Sequence, residues 1–437
     1  MKIKFTNVGK VGNAVIDLSG LSVIAGANDS GKSTIGKTIF ALIKALNTTK
    51  EIYFKEASNK ALKSLFSVFI TLRRSQAKSI LGNNEELFDP KLFLDEIQAV
   101  ILFNIPISVV IDRRRKILQK CTISEREKIQ IFKKLAYIES LFNSSISQKE
   151  IISEAVMRFM ESEFNSQINN VIGKKQSIIE IFIDNKNFYS FTFENNQLVK
   201  VEYPQDIKFT VTEIKDVTFI ESPAFLSLID VLRDLENYGS ESDLWNANVG
   251  PLHLKDFATK ILNLRFPTKK PFVNWSKKIE KIISGKFIFD EKKKGLYFRK
   301  KNKENSADVD PVNTAIGVRS FGILDILNQI GAINQTSMLI IDEPETHLHP
   351  EWQLKYAQLL IELVSTGAPV LVTSHSPYMI QALRFFAKEE DIYEKTHFYL
   401  SKPTKGSLYC QLNDLHGNLE EVFKTLAGPM HYLMVGK

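Results

Sequence analysis

The sequence predicts an α/β fold: a mainly parallel sheet flanked by helices, with a β-rich part in the first lobe and a large helical insertion. Three observations predict it. The last third alternates apolar strands with helices, at residues 320, 338–341, 350, 370–373 and 377 onward, the pattern of a sheet covered on both faces. Residues 21–25 form an apolar strand that runs into a Gly-containing loop and then into helical spacing at Ile35, Ile39, Leu42, Ile43 and Leu46. From about 51 to 174 the pattern is mostly helical and looks inserted.

In chain order, residues 2–5 and 14–18 read as strands ahead of the strand at 21–25. The helical stretch has polar breaks at Gly82-Asn83-Asn84 and Asn143-Ser144-Ser145. Alternation returns at 177–183, 188–193, 198–201 and 216–220. Residues 225–283 read as helical with interruptions, 286–299 as a hairpin with its tip at 290–295, and 300–310 as a polar link. The organisation expected is a first lobe from 1–50 and 175–222, an insertion at 51–174, a helical segment with basic hairpin at 223–310, and a second lobe at 311–437.

At 437 residues, with 44% hydrophobic and 24% charged, the composition is that of a globular protein and excludes a disordered or collagenous chain. Two cysteines, Cys121 and Cys410, are too few for a disulfide framework and point to a reducing cytoplasm. No segment has the ~20 unbroken apolar residues of a membrane helix; the nearest run, 99–111, is broken by Asn104 and Pro106. A soluble protein is expected, with no signal peptide at its N-terminus. The net charge of +7 is uneven: residues 55–134 carry +7 and residues 265–305 carry +10, so the rest carries −10. Such asymmetry fits a polyanion-binding face, nucleic acid included, as well as simple solvation.

Gly26-Ala27-Asn28-Asp29-Ser30-Gly31-Lys32-Ser33 matches G-x-x-x-x-G-K-[ST] and lies between a strand and a helix, where a phosphate-binding loop belongs. The two glycines permit backbone angles that let successive N–H groups face phosphate oxygens at a helix N-terminus. Lys32 would reach the β- and γ-phosphates of ATP, Ser33 would ligate Mg²⁺, and Thr34 follows as a further nucleotide contact.

Residues 338–341 are a buried strand ending in Asp342-Glu343, at the carboxyl edge where such sheets bind ligands. Asp342 suits Mg²⁺, directly or through water. Glu343 suits the base that orients or deprotonates the attacking water. His347 and His349 beside Glu345 raise a metal-site question, but H-x-H leaves no third ligand at helical distance, and they read better as loop-orienting groups. The strand 370–373 ends in Ser374-His375-Ser376-Pro377, placing His375 to hydrogen-bond a γ-phosphate and report its presence.

These residues together resemble an ATP-binding-cassette-type ATPase of the lineage that includes SMC proteins, RecF and the overcoming-lysogenization-defect nucleases. The runs at 342–353 (DEPETHLHPEWQ) and 373–380 (TSHSPYMI) are similar to compact, AAA-annotated bacterial ATPases of anti-phage systems such as Septu, PARIS and certain retrons. The resemblance covers about 1–50 and 311–390. It implies a signature segment completing the site of a second copy, for which 317–322 is the candidate, with Ser320 and Gly322 opening a helix. The glutamine loop is not placed beyond the neighbourhood of 220–224.

The function implied is an ATPase that forms an ATP-sandwiched homodimer or higher oligomer and controls a separate effector, a nuclease or toxin, in phage defence. About 35 residues follow the last strand-helix unit, too few for an appended nuclease domain. The alternatives are a RecF-like DNA-repair ATPase gripping duplex DNA and an ATP-regulated RNA nuclease whose active site lies within 51–310. The basic runs 292–294 with 299–303, and Arg113-Arg114-Arg115, fit nucleic acid, a protein partner or solvation equally.

Overall fold

The computed structural model describes residues 1–74, 86–102, 105–121, 123–143, 148–170, 175–204, 213–229, 250–268, 270–301 and 306–435. The breaks expected at 82–84 and 144–145, and Lys303, lie outside the described residues. The chain forms two compact units, one from 1–47 with 156–437 and one from 48–155.

In the larger unit the strands are β1 (Lys2–Val8), β2 (Val11–Asp17), β3 (Leu21–Gly26), β4 (Ser177–Ile183), β5 (Lys186–Glu194), β6 (Gln197–Glu202) and β7 (Asp216–Ile220). Three more, β8 (Gly285–Asp290), β9 (Gly295–Lys301) and β10 (Ser306–Val309), form a separate sheet. Then come β11 (Ser337–Asp342), β12 (Val370–Ser374), β13 (Thr396–Pro403) and β14 (Cys410–Asp414). Among the described residues the large sheet has 11 strands in the order β6, β5, β4, β1, β2, β14, β13, β3, β12, β11, β7. From β13 to β7 all neighbours are parallel, whereas β6 to β2 form an antiparallel meander-like flank. The central parallel strands are buried and mostly apolar because both faces are covered: β3 is buried at all of its 6 residues and β12 at all of its 5.

The helices are α1 (Lys32–Arg74), α2 (Pro90–Leu102), α3 (Ser108–Gln119), α4 (Glu125–Asn143), α5 (Gln148–Phe164), α6 (Leu252–Leu262), α7 (Ser276–Ile283), α8 (Ile316–Gln329), α9 (Pro350–Ser365), α10 (Pro377–Glu389) and α11 (Glu420–Val435). The helical stripe on α1 is core: Ile35, Ile39, Leu42, Ile43 and Leu46 are all buried. Lys260 on α6 bridges Asp216 of β7 at 2.8 Å and Asp256 at 2.9 Å, and Lys44 of α1 pairs with both carboxylates. This alternating ring ties the loop-bearing helix to the sheet edge.

The smaller unit has its own core of Phe93, Ile97, Ile111, Leu118, Leu135 and Ile138, among others. Arg114, one of the three consecutive arginines, belongs to it. The guanidinium donates to Glu96 at 2.6 Å and to the Leu87 carbonyl at 2.7 Å, and lies 3.6 Å over the Phe93 ring. Arg115 pairs with Glu139 at 2.8 Å. Arg113 also lies 3.5 Å from Glu96, so all three charges have carboxylate partners and the run is not a free basic patch.

Three local expectations are corrected. Residues 306–309 form β10 within the expected polar link, because Asp308 opposite Arg299 accepts from its Nε at 2.7 Å and its Nη2 at 3.0 Å, giving a polar stretch a cross-strand partner. The helix expected from Ser320 starts at Ile316. After α10 the chain adds β13 and β14 to the middle of the sheet, so this segment completes the fold rather than trailing from it.

Candidate functional site

The loop between β3 and α1 is cramped as a phosphate cradle must be. A Cβ on Gly26 would sit 2.7 Å from Ser30 Oγ and 3.0 Å from the Ser401 carbonyl, and Gly31 has φ +86°. Asp29 also takes a left-handed backbone, φ +61°, and pairs with Lys10. Ala27, Asn28 and Asp29 are exposed at the rim; Ser30 is buried, its carbonyl accepting from Ser401 Oγ at 2.7 Å. Ser30 Oγ is buried without a partner in the protein. Thr34 is half-buried in the first turn of α1, its carbonyl accepting from Thr38 Oγ1 at 2.8 Å.

Lys32 is only 4% exposed, and its ammonium donates to the Gly26 carbonyl at 3.0 Å and the Ala27 carbonyl at 2.9 Å. It also lies 3.5 Å from Glu343. The charge is thus held inside the cradle, which with the spare Ser30 hydroxyl and the two close-fitting glycines suits a polyphosphate.

Parallel pairing carries the other groups to the same edge. With Asp342 opposite Thr373 in β11 and β12, and Thr373 opposite Ile24 in β3, the three carboxyl ends align. Thr373 Oγ1 donates to Asp342 and accepts from the Glu343 N–H at 3.2 Å. Burial pushes the Asp342 carboxyl above its ordinary range, opposed by hydrogen bonds from Thr373 and Ser33. Ser33, in the first turn of α1, and Asp342, at the end of β11, face the same carboxyl edge, where two ligands of one Mg²⁺ would need to be.

Glu343 occupies a left-handed backbone, φ +48°, uncommon for a residue with a side chain. The turn aims its carboxylate at Lys32 and at His375, whose Nδ1 is 3.3 Å away. His375 is in turn set by Glu345, which is buried and accepts from the His375 N–H at 2.8 Å, Ser374 Oγ at 2.8 Å and the Ser376 N–H at 3.0 Å. Burial pushes the Glu345 carboxyl up. Ser376 Oγ donates to Gln353 at 2.8 Å, closing the loop onto α9.

The structure brings together Lys32, Ser33, Asp342, Glu343 and His375. It does not bring Ser320 or Gly322 there as a helix start. Ser320 is 2% exposed in the second turn of α8 and donates to the Ile316 carbonyl at 3.1 Å. Arg319 moves the start forward, its buried guanidinium wrapping back onto the Val312 and Thr314 carbonyls at 2.9 and 2.8 Å. Gly322 is a packing residue, with Phe287 2.2 Å from where its Cβ would be. His347 and His349 are exposed; His349 caps α9, accepting from the Glu351 N–H at 3.4 Å. Among the described residues no group of three or more His, Cys, Asp or Glu is placed to hold a metal ion. The residues not singled out from sequence are Thr373, Gln353 and Glu221. Thr373 and Glu221 are polar residues at or just past the end of an apolar strand and Gln353 lies in the first turn of α9, signals too common to single them out.

Comparison with known proteins gives the class. Residues 176–381 match the family described as "AAA domain, putative AbiEii toxin, Type IV TA system". Over 45 residues, 10% of this chain and 11% of the relative, the chain is 44% identical to the Septu protein PtuA of Bacillus thuringiensis. Over 139 residues it is 26% identical to the L-cystine import ATP-binding protein TcyN of Bacillus subtilis, covering 26% of this chain and 52% of that one. The chain spans about half or less of the length of these curated relatives. Among solved structures it is similar to the SMC head domain from Thermotoga maritima, 11% identical with TM-score 0.36, covering 94% of this chain and 97% of that one. The chain has an α/β fold with a phosphate-loop motif between β3 and α1, and in sequence it is similar to AAA-type ATPase domains and to a defence-system protein. Among the described residues no helix is long and apolar enough to cross a membrane.

Proposed function

We propose that this chain binds ATP with Mg²⁺, hydrolyses it to ADP and phosphate, and acts in the cytoplasm as the regulatory subunit of an anti-phage system. The observation that carries the reading is the convergence on Glu343, whose carboxylate lies 3.5 Å from Lys32 Nζ and 3.3 Å from His375 Nδ1 at the mouth of the loop. Lys32 leaves the loop carbonyls to meet phosphate oxygens, Ser33 and Asp342 hold the cation, and Glu343 orients the attacking water and accepts its proton. His375, fixed by Glu345, donates to the γ-phosphate. Mg²⁺ supplies neutralisation of the phosphate charge.

In this reading residues 1–50 with 175–222 serve as one lobe and 311–437 as the other, and two copies close around the nucleotide to control a separate nuclease or toxin. For Ser320 to reach the partner's nucleotide, its hydroxyl has to leave the Ile316 carbonyl. The similarity to PtuA supports the defence setting. Lys32→Ala is expected to abolish nucleotide binding, read by fluorescent-nucleotide titration; retained binding overturns the reading. A second reading, a DNA-repair ATPase, has the exposed Lys292, Lys294 and Lys300 near the β8–β9 hairpin in its favour. DNA binding that weakens steeply with salt and needs no effector would favour it.

A further inference from the structure

Glu221 follows β7 directly, at the same carboxyl edge as Asp342, since β7 and β11 pair in parallel with Ile220 opposite Ile341. Two cations hold Glu221 from opposite sides. Lys37 Nζ, one turn beyond the phosphate loop on α1, lies 2.6 Å from its Oε1, and His253 Nε2 lies 3.1 Å from its Oε2.

Behind His253 the chain of charge continues into the interior. The His253 side chain is fully buried, and its Nδ1 meets Glu163 Oε2 at 2.6 Å, while its backbone N–H donates to Glu163 Oε1 at 2.8 Å. The ring is wedged edge-on against Phe219, with centroids 4.9 Å apart, and Phe40, 6.0 Å apart. With aromatic walls on its faces and a carboxylate at each nitrogen, the imidazole has one orientation available. Burial works against its charge, but the Glu163 and Glu221 carboxylates outweigh it and hold the pKa above the ordinary histidine value. Glu163 itself lies in the last turn of α5, the helix that returns from the smaller unit.

We propose that Glu163 and His253 form a positioning pair that holds Glu221 at the nucleotide edge beside Asp342, so that the last turn of α5 sets the geometry of the ATPase site. Neither residue touches the reacting atoms; both act through Glu221. The inference rests on the reading of the loop as an ATP site.

The test uses the full chain and two conservative variants, Glu163→Gln and His253→Gln, both checked for folding by thermal unfolding. Histidine ¹⁵N spectra at pH 7.5 are tractable with 7 histidines. The wild type is expected to show one doubly protonated imidazolium that is missing in His253→Gln and becomes a neutral ring in Glu163→Gln. Fluorescent-ATP affinity is expected to stay within about twofold, while kcat falls on the order of tenfold, the size of effect that loss of an outer positioning partner produces. A neutral His253 in the wild type, or folded Glu163→Gln with unchanged kcat, overturns the positioning role. If the wild type binds no ATP, the site reading itself has failed, a result distinct from either of these.

Discussion

At the residue scale, the arrangement around Glu343 is strained where the chemistry is expected. The left-handed backbone at Glu343 is held by two hydrogen bonds to Thr373, to its carbonyl at 3.1 Å and its hydroxyl at 3.2 Å. Glu343→Gln is expected to keep ATP binding and lower hydrolysis by about 10²-fold or more, as loss of a general base does; unchanged turnover in a phosphate-release assay would reject the assignment. Glu345 makes no direct contact with a phosphate in this scheme, yet its one oxygen gathers three donors. Glu345→Ala takes that acceptor from the His375 N–H and the Ser374 hydroxyl, while the Ser376 N–H keeps Ser374 Oγ at 3.1 Å, so a loss of roughly 1–3 kcal/mol of stability is expected along with slower hydrolysis. Chemical denaturation and initial rates on the same sample would show both, and a variant as stable and active as the wild type would contradict it.

At the element scale, the strand and helix grammar of the last third was legible because parallel strands buried on both faces carry near-continuous apolar runs, as β11 does at 338–341 and β12 at 370–372. The start of α8 was not. Ser320 has the side chain of a helix cap but lies in the second turn, while Arg319 beside it donates to the Ser227 hydroxyl at 3.2 Å, a long-range contact invisible in local preference. Likewise, β10 lacks apolar alternation and exists through the pairing of Asp308 with Arg299. The phosphate loop, Asp342, Glu343 and His375 were readable from spacing alone, whereas Glu221 and Thr373 acquire a role only when β7 and β12 are placed beside β11. Two substitutions separate packing from chemistry on α8. Gly322→Ala drives a methyl into the Phe287 ring and is expected to cost about 1–3 kcal/mol in urea unfolding. Ser320→Ala removes a single bond to its own helix and is expected to change stability by less than about 1 kcal/mol. A selective loss of hydrolysis in Ser320→Ala, restored by mixing with a Lys32 variant, would instead reveal that the hydroxyl serves a second copy.

At the scale of the whole molecule, the buried charges make stability depend on pH in a defined direction. His253 and Lys37 hold the Glu221 carboxyl down to about 2, against burial that would raise it, from an ordinary 4.5. A carboxylate whose folded pKa is depressed stabilises the fold fully above its unfolded value and loses that contribution as pH falls through the folded one. The gap in melting temperature between the wild type and Glu221→Gln is therefore expected to be full at pH 7 and to shrink between about pH 4.5 and 2. A gap that stays constant across that range would mean that the ion pairs do not form in solution.

The place of β13 in the sheet has a consequence for how the protein is made. The phosphate-loop strand β3 has β12 on one side and β13 on the other, partners that lie about 350 and 375 residues downstream. While the polypeptide is still emerging from the ribosome, β3 and its loop therefore stand with both edges bare until β12 and β13 have been made. The phosphate loop can therefore take its final shape only after β12 and β13 have been made, late in the order of folding.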